Sequence, residues 1–186
     1  QVMGTHGVHV IRAMEAAHAK AGQVLVAAPV LGRPDMAATG QLLIVAAGPA
    51  AVLERCRVLF PVIGRHTFDA GEKPESATAI KLANNFVLGC AIEVMGEAFA
   101  LVQKYGVPAA VMHDVLSNGI FSAPAYKVYG QIIADQSYDT VGVTTLLGLK
   151  DANLIMAAAD AAKVPLPSAN VWRDRLLGAI AHGAGD

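Results

Sequence analysis

The sequence predicts an α/β segment followed by an all-α segment, and three observations support this. Before residue 72, short β-branched runs alternate with helical stretches. After it, apolar residues recur at helical spacing in segments rich in Ala, Leu and Met. Hydrophobic residues make up 54% of the 186 residues and charged residues 16%, which excludes intrinsic disorder. We expect two domains, residues 1–72 and 73–186.

The first domain is expected to alternate helices and strands around a mainly parallel sheet. Its predicted strands cover residues 24–30, 41–47 and 66–69. Its predicted helices cover residues 9–21 and 50–63, ending at Gly22 and Gly64.

The second domain is expected to begin with one long helix over residues 75–105. That length exceeds the roughly 8–20 residues usual in globular proteins and suits a helix that links two domains. The pattern then predicts helices over residues 109–117, 123–134, 144–162 and 168–182.

Charge and cysteine content exclude several classes of partner. Fourteen Lys and Arg against fifteen Asp and Glu give a net charge of −1, so no field attracts nucleic acid or an anionic membrane. The longest charge-free stretch, residues 36–53, is broken by Gly and Pro and predicts no spanning helix. Neither the two cysteines nor the six histidines show ligand spacing, so we expect no metal site and a reducing cytoplasm.

Two polar residues of the long helix form a candidate site. Lys81 and Asn85 stand four residues apart and therefore share one face of the helix. An ammonium and a carboxamide on that face can hold and protonate a substrate oxygen. Spacing alone leaves open a plain alternative, a solvated lysine beside a hydrogen-bonding asparagine.

Two further segments have both a functional and a structural interpretation. Leu31, Gly32 and Arg33 follow a predicted strand, and loops at the carboxyl ends of strands bind ligands in open α/β sheets, although a simple turn also needs its glycine. Lys150 and Asp151 are adjacent opposite charges in a predicted helix, which is the usual pattern of a solvent-exposed surface pair.

Three segments, in order, resemble the β-hydroxyacid dehydrogenase family, which includes 3-hydroxyisobutyrate dehydrogenase and glyoxylate/succinic semialdehyde reductases. They read AAPVLGRPDMAATGQLLIVAAG, IKLANNFVLGCAIEVMGEAFALVQKYGV and LGLKDANLIMAAADAAKVPLP. The resemblance implies that residues 1–72 are the C-terminal half of an NAD(P)-binding Rossmann sheet. It also implies a long interdomain helix and a helical domain like that of 6-phosphogluconate dehydrogenase, which binds substrate and forms a homodimer.

The resemblance also assigns roles to single residues. The family's K-L-x-x-N motif is matched by residues 81–85, which makes Lys81 the catalytic lysine and Asn85 a substrate-binding residue. Lys150 matches the family's lysine near the nicotinamide. Thr5 matches a cofactor-contacting position.

The substrate loop departs from the family pattern A-P-V-S-G-G. Leu31 replaces its serine and Arg33 its second glycine, while Gly32 is retained. A hydroxyl is thereby lost, and Arg33 can offer a bidentate charge to a carboxylate instead. The same loop is similar to that of imine reductases, but Lys81 favours hydroxyacid or semialdehyde chemistry because those enzymes commonly replace the lysine.

The expected function is hydride transfer between NAD or NADP and a small β-hydroxyacid or semialdehyde, with Lys81 as general acid and base. Efficient exchange requires that the site lower the lysine pKa towards roughly 7–8. The sequence contains no G-x-G-x-x-G phosphate turn. We therefore expect an N-terminally truncated chain that binds dinucleotide weakly and is itself inactive. The alternatives are an imine reductase-like enzyme and a non-catalytic helical dimerisation fragment.

Overall fold

The computed structural model describes residues 2–139 and 142–185. These residues form two compact units, of which the first comprises residues 1–85 and 150–166 and the second residues 86–149 and 167–186. The chain therefore crosses between the units three times, after residues 85, 149 and 166, and not at residue 72. The two domains expected from the sequence stay a prediction.

The first unit is built around a three-stranded sheet in the order β1-β2-β3. Strand β1 is antiparallel to β2, and β2 is parallel to β3. The parallel pairing covers five residue pairs and the antiparallel pairing two, so the sheet is mainly parallel as expected, with the short strand β1 as an antiparallel addition. Its elements in chain order are α1 (Val8–Lys20), β1 (Val30–Leu31), α2 (Pro34–Ala38), β2 (Leu42–Ala46), α3 (Ala50–Cys56), α4 (Phe60–Ile63) and β3 (Gly64–Asp69).

The strand predicted over residues 24–30 forms a regular ladder only at its end. Ala27 makes single bridges to Val2, in parallel, and to Ala47, in antiparallel orientation. Pro29 then interrupts the ladder because its ring nitrogen carries no hydrogen, although its carbonyl accepts a bond from the Val45 amide. Regular pairing resumes in β1.

The helix predicted over residues 50–63 is in fact two short helices. Pro61 explains the break, since it donates no amide hydrogen and its ring would collide with the carbonyl four residues earlier. Tight turns replace the helical bonds here, with the amides of Arg57 and Leu59 bonding the carbonyls three residues before them. The short helix α2 was not predicted.

The predicted helices of the second part are confirmed to within two residues at each end. They are α5 (Pro74–Lys104), α6 (Ala109–Asn118), α7 (Pro124–Asp135), α8 (Thr145–Ala162) and α9 (Pro167–Ala181). The core of the second unit forms around Met95, Phe99 and Leu116. Arg175 of α9 also bonds Glu93 at 2.8 Å and Glu97 at 3.1 Å, which fastens α9 to α5 within this unit.

Helix α5 is long and apolar enough to cross a membrane by length and composition alone. Its most apolar 18-residue segment has a mean hydropathy of 1.6, and 17% of that segment is buried. The helix contains charged residues and so differs from the charge-free stretch at residues 36–53. However, α5 buries Leu82, Met95 and Phe99 and carries three ion-paired glutamates. These contacts fit a helix of a globular domain, and the expected absence of a membrane partner stays a prediction.

Candidate active site

The start of α5 is held against the sheet by small buried residues. Ala77 is fully buried in a cluster with Ala27, Val45 and Ala47 of the sheet segment. Lys81 follows Ala77 by one helical turn and Asn85 follows Lys81 by another, so all three lie along the same side of α5.

Helix α8 brings an acid to this face. The amide Nδ2 of Asn85 donates a 2.8 Å hydrogen bond to Oδ2 of Asp151. The other carboxylate oxygen, Oδ1, lies 2.9 Å from Nζ of Lys150. The Asp151 side chain is only 15% exposed, against 45% for Lys150, so the interpretation as a surface pair is wrong for Asp151.

The sequence did hold a signal for the inward position of Asp151. It stands four residues before Ile155 and eight before Ala159, and both of these α8 residues are buried. Side chains at this spacing share one face of a helix. A carboxylate on the buried face of an apolar helix is therefore visible in the periodicity, although the family resemblance assigns a role only to its neighbour Lys150.

Lys81 is half-buried and electrostatically perturbed. Burial lowers the pKa of its ammonium below the ordinary value, the carboxylate of Asp151 opposes this, and the positive charge of Lys150 lowers the pKa further. The net effect is a lowered pKa, which is the direction that a lysine acid–base group requires. A freely solvated lysine, the plain alternative, does not describe this side chain.

The loop after β1 has a constrained backbone at Gly32. Its φ of +143° is rare for residues with side chains, and a Cβ placed there would lie 2.8 Å from Cδ2 of Leu42. Leu31 packs against the buried cluster that includes Ala77. The 34% exposed side chain of Arg33 lies 3.5 Å from the carboxylate of Asp35.

The loop that contains Thr5 leads into α1, whose first turn has no side-chain cap and no acidic residue. Gly7 is buried there, and a Cβ on it would lie 3.5 Å from a methyl group of Leu154 in α8. Leu154 follows Lys150 by one turn, so the start of α1 packs beside the face of α8 that carries Lys150. A half-exposed cation and an uncapped, acid-free helix start both favour an anionic group such as a phosphate.

The contacts therefore join Asn85 and Lys150 through Asp151, and Lys81 lies within electrostatic reach of the Asp151 and Lys150 charges. No hydrogen bond or ion pair among the described residues joins Gly32, Arg33 or Thr5 to these four. Within residues 2–139 and 142–185, no three His, Cys, Asp or Glu side chains are grouped to hold a metal ion. The expectation of no metal stays a prediction.

Family profiles match nearly the whole chain. Residues 76–186, more than half of the chain, match the NAD-binding profile of NADP-dependent 3-hydroxyisobutyrate dehydrogenase. Residues 2–71 match the NAD binding domain of 6-phosphogluconate dehydrogenase. The chain belongs to the β-hydroxyacid dehydrogenase family. The resemblance found in the sequence is thus confirmed, and the cofactor of this family is NAD or NADP.

Individual members of the β-hydroxyacid dehydrogenase family align along most of this chain. The oxidoreductase YfjR of Bacillus subtilis is 38% identical over 99% of the chain and 64% of its own length. Glyoxylate/succinic semialdehyde reductase 1 of Arabidopsis thaliana is 30% identical over 92% of the chain and 58% of its own length. The chain thus spans about three fifths of these relatives.

Solved structures of the family confirm the fold class. The 3-hydroxyisobutyrate dehydrogenase of Mycobacterium tuberculosis superposes with a TM-score of 0.84 at 26% identity, over 98% of this chain and 65% of that one. An imine reductase of Streptomyces aurantiacus, at 19% identity and a TM-score of 0.59 over 99% of this chain and 65% of that one, shares the fold alone. This chain and the two solved structures therefore share an α/β part followed by helices.

Proposed function

We propose that this chain carries the acid–base lysine of an NAD(P)-dependent oxidoreductase that acts on a small β-hydroxyacid or semialdehyde. The observation that carries the proposal is Lys81, a half-buried ammonium with a lowered pKa, one turn from the fixed amide of Asn85. Membership of the β-hydroxyacid dehydrogenase family supports it independently.

The chemistry of Lys81 is a reversible proton transfer at the substrate oxygen. NAD(P), when bound, supplies or accepts the hydride at the neighbouring carbon. In reduction the Lys81 ammonium gives one proton to the carbonyl oxygen, which becomes a hydroxyl, and a neutral amine remains. In oxidation the amine removes the hydroxyl proton. A lowered pKa brings both forms within reach nearer neutral pH.

Asn85 orients the same substrate oxygen. One amide hydrogen of Nδ2 is used by Asp151, which fixes the amide plane and leaves its second hydrogen and its carbonyl oxygen for the substrate. The acid end of the substrate is assigned to the loop at Leu31, Gly32 and Arg33. There the guanidinium supplies the charge that a carboxylate needs, in competition with the weak local pair to Asp35.

Thr5 and Lys150 are assigned to the nicotinamide side of the cofactor. The packing of the α1 start beside the Lys150 face of α8 supports this assignment. Lys150 is more exposed than Asp151, so its ammonium is accessible to a ligand while the carboxylate behind it holds its position. We place the enzyme in the cytoplasm.

A second copy of the chain is the proposed protein partner. On α5, Val87, Val94 and Leu101 recur every seven residues and are 65%, 61% and 60% exposed. Apolar residues at this spacing form one seam of the helix, the pattern by which two helices pack together. We refer to these three residues as the α5 seam.

The test is turnover by the full-length protein, followed as NADPH or NADH absorbance. We expect reduction of small semialdehydes or oxidation of β-hydroxyacids, and no turnover of a cyclic imine. Reduction of the imine alone would favour the imine reductase alternative. Absence of any turnover in a folded protein that binds cofactor would favour the non-catalytic dimerisation module and overturn the proposal.

A further inference from the structure

The carboxylate of Asp151 serves two different partners with its two oxygens. Oδ2 accepts the Asn85 amide, while Oδ1 faces the Lys150 ammonium at 2.9 Å. The Lys150 contact has the distance of an ion pair, but its orientation does not make a hydrogen bond, and Oδ1 is buried without any hydrogen-bond partner. Lys150 is therefore held by charge and not by a fixed bond.

Such an arrangement is costly if its only role is stability. A carboxylate has about four acceptor positions, and a buried carboxylate oxygen left without a hydrogen bond costs more than the ~1–3 kcal/mol of a neutral group. An apolar residue of similar volume commonly packs as well or better at such a place. A buried, incompletely satisfied acid between Lys81, Asn85 and Lys150 therefore points to a role in the site.

We propose that Asp151 is a positioning residue of the site, which fixes the Asn85 amide through Oδ2 and retains Lys150 beside Lys81 through Oδ1. The inference rests on the proposed function and deepens it. Asparagine at position 151 keeps an acceptor for Asn85 but turns its amide NH2 group, a hydrogen-bond donor, towards Lys150, and alanine loses both contacts.

The charges around Lys81 give this inference a second consequence. Asp151 and Lys150, both on α8, are the charged groups that act on Lys81 in the described part of the chain. Asp151 favours the charged form of Lys81 and Lys150 opposes it. Loss of the carboxylate while Lys150 stays should therefore lower the pKa of Lys81.

The first experiment is a double-mutant cycle in the full-length protein. Asp151→Ala and Asn85→Ala should each lower kcat/KM by roughly 10- to 100-fold, the scale of a misplaced reacting group. The fold loss in kcat/KM of the double variant should be clearly smaller than the product of the two single fold losses, because both substitutions remove the same Asn85–Asp151 contact. Losses that multiply would overturn the role of Asp151 at Asn85.

The second experiment needs no turnover and no cofactor. The rate of acetylation of Lys81 against pH, read by peptide mass spectrometry, reports the pKa of its amine. Asp151→Asn should move this profile to lower pH, and Lys150→Gln should move it to higher pH. Lys163→Gln, which removes an exposed charge just beyond α8, is the matched control and should move nothing. An unmoved Asp151→Asn profile would overturn the electrostatic role.

Failure of the proposed function can be distinguished from failure of this inference about Asp151. Turnover that survives Lys81→Ala defeats the proposed function, whereas an active protein that requires Lys81 but tolerates Asp151→Asn and Asp151→Ala defeats only this inference. Thermal unfolding accompanies each variant. If Asp151→Ala does not fold, the cycle is run with the near-isosteric Asp151→Leu, whose preserved folding together with lost activity would still support positioning over stability.

Discussion

The amide Nδ2 of Asn85 on α5 donates a 2.8 Å hydrogen bond to the carboxylate Oδ2 of Asp151 on α8. These residues lie 66 positions apart in sequence. Asn85 presents a defined edge of its amide because this bond selects one of its two orientations. The bond also fastens α5 to α8 at the level where the two lysines of the site lie.

Lys81→Ala is expected to lower kcat by about 10²–10⁴-fold, the usual contribution of a positioned acid–base group. Substrate affinity should change much less, since the lysine acts on the reacting oxygen. Steady-state kinetics on the full-length protein measure both. Lys104→Ala removes an exposed lysine from the end of the same helix and should leave kcat unchanged. A Lys81→Ala variant that turns over at the parental rate would remove Lys81 from the chemistry.

The pH dependence should have opposite signs in the two directions of the reaction. Reduction uses the ammonium of Lys81, so its kcat should fall as pH rises through the lysine pKa. Oxidation uses the neutral amine and should rise over the same range. Burial and Lys150 place this transition below the ordinary pKa of lysine, against the opposing effect of Asp151. Rate profiles with one shared transition would check this, and transitions at unrelated pH values would contradict it.

Arg33→Ala should raise KM for a carboxylate substrate by about 10- to 100-fold, the scale of one charge-assisted contact. KM for an uncharged aldehyde of similar size should change little. The control is Arg57→Ala, because Arg57 also pairs with a nearby acid, Glu54, and its side chain is 67% exposed. Equal effects of Arg33→Ala on both substrates would show that Arg33 does not contact the acid group.

Gly32→Ala should destabilise the fold by about 1–3 kcal/mol, because the added methyl group meets Leu42 and the positive φ disfavours a side chain. Gly96→Ala is the matched control. Gly96 lies inside α5 with open space around its Cβ position, so alanine should be neutral or stabilising by about 0.5–1 kcal/mol. Chemical denaturation measures both variants, and equal stabilities would refute the steric argument.

Val94→Glu should weaken a homodimer because it places a charge at the centre of the α5 seam. Light scattering over a micromolar concentration series is the measurement, and we expect the variant to dissociate at least about tenfold more readily. Gln103→Glu adds the same charge to an exposed position on another side of α5 and should leave the dimer intact. A parental protein that is monomeric at these concentrations would contradict the homodimer itself.

Much of this protein was determined by local sequence pattern. Apolar periodicity fixed α1 and the helices from α5 onward, since helical bonds and the buried face repeat within a few residues. The same periodicity placed Lys81 and Asn85 on one face. The apolar pattern alone predicted one continuous strand through Pro29 and one continuous helix through Pro61. Both elements are interrupted there because proline has no amide hydrogen to donate.

The tertiary structure decided what these residues do to one another. Strand direction in the mixed sheet depends on how the chain returns to the sheet, which the strand residues do not encode. The inward position of Asp151, its bond to Asn85 and the lowered pKa of Lys81 all require α5 and α8 to meet. A pKa responds to burial and to charges brought close by folding, and no spacing along the chain sets those distances.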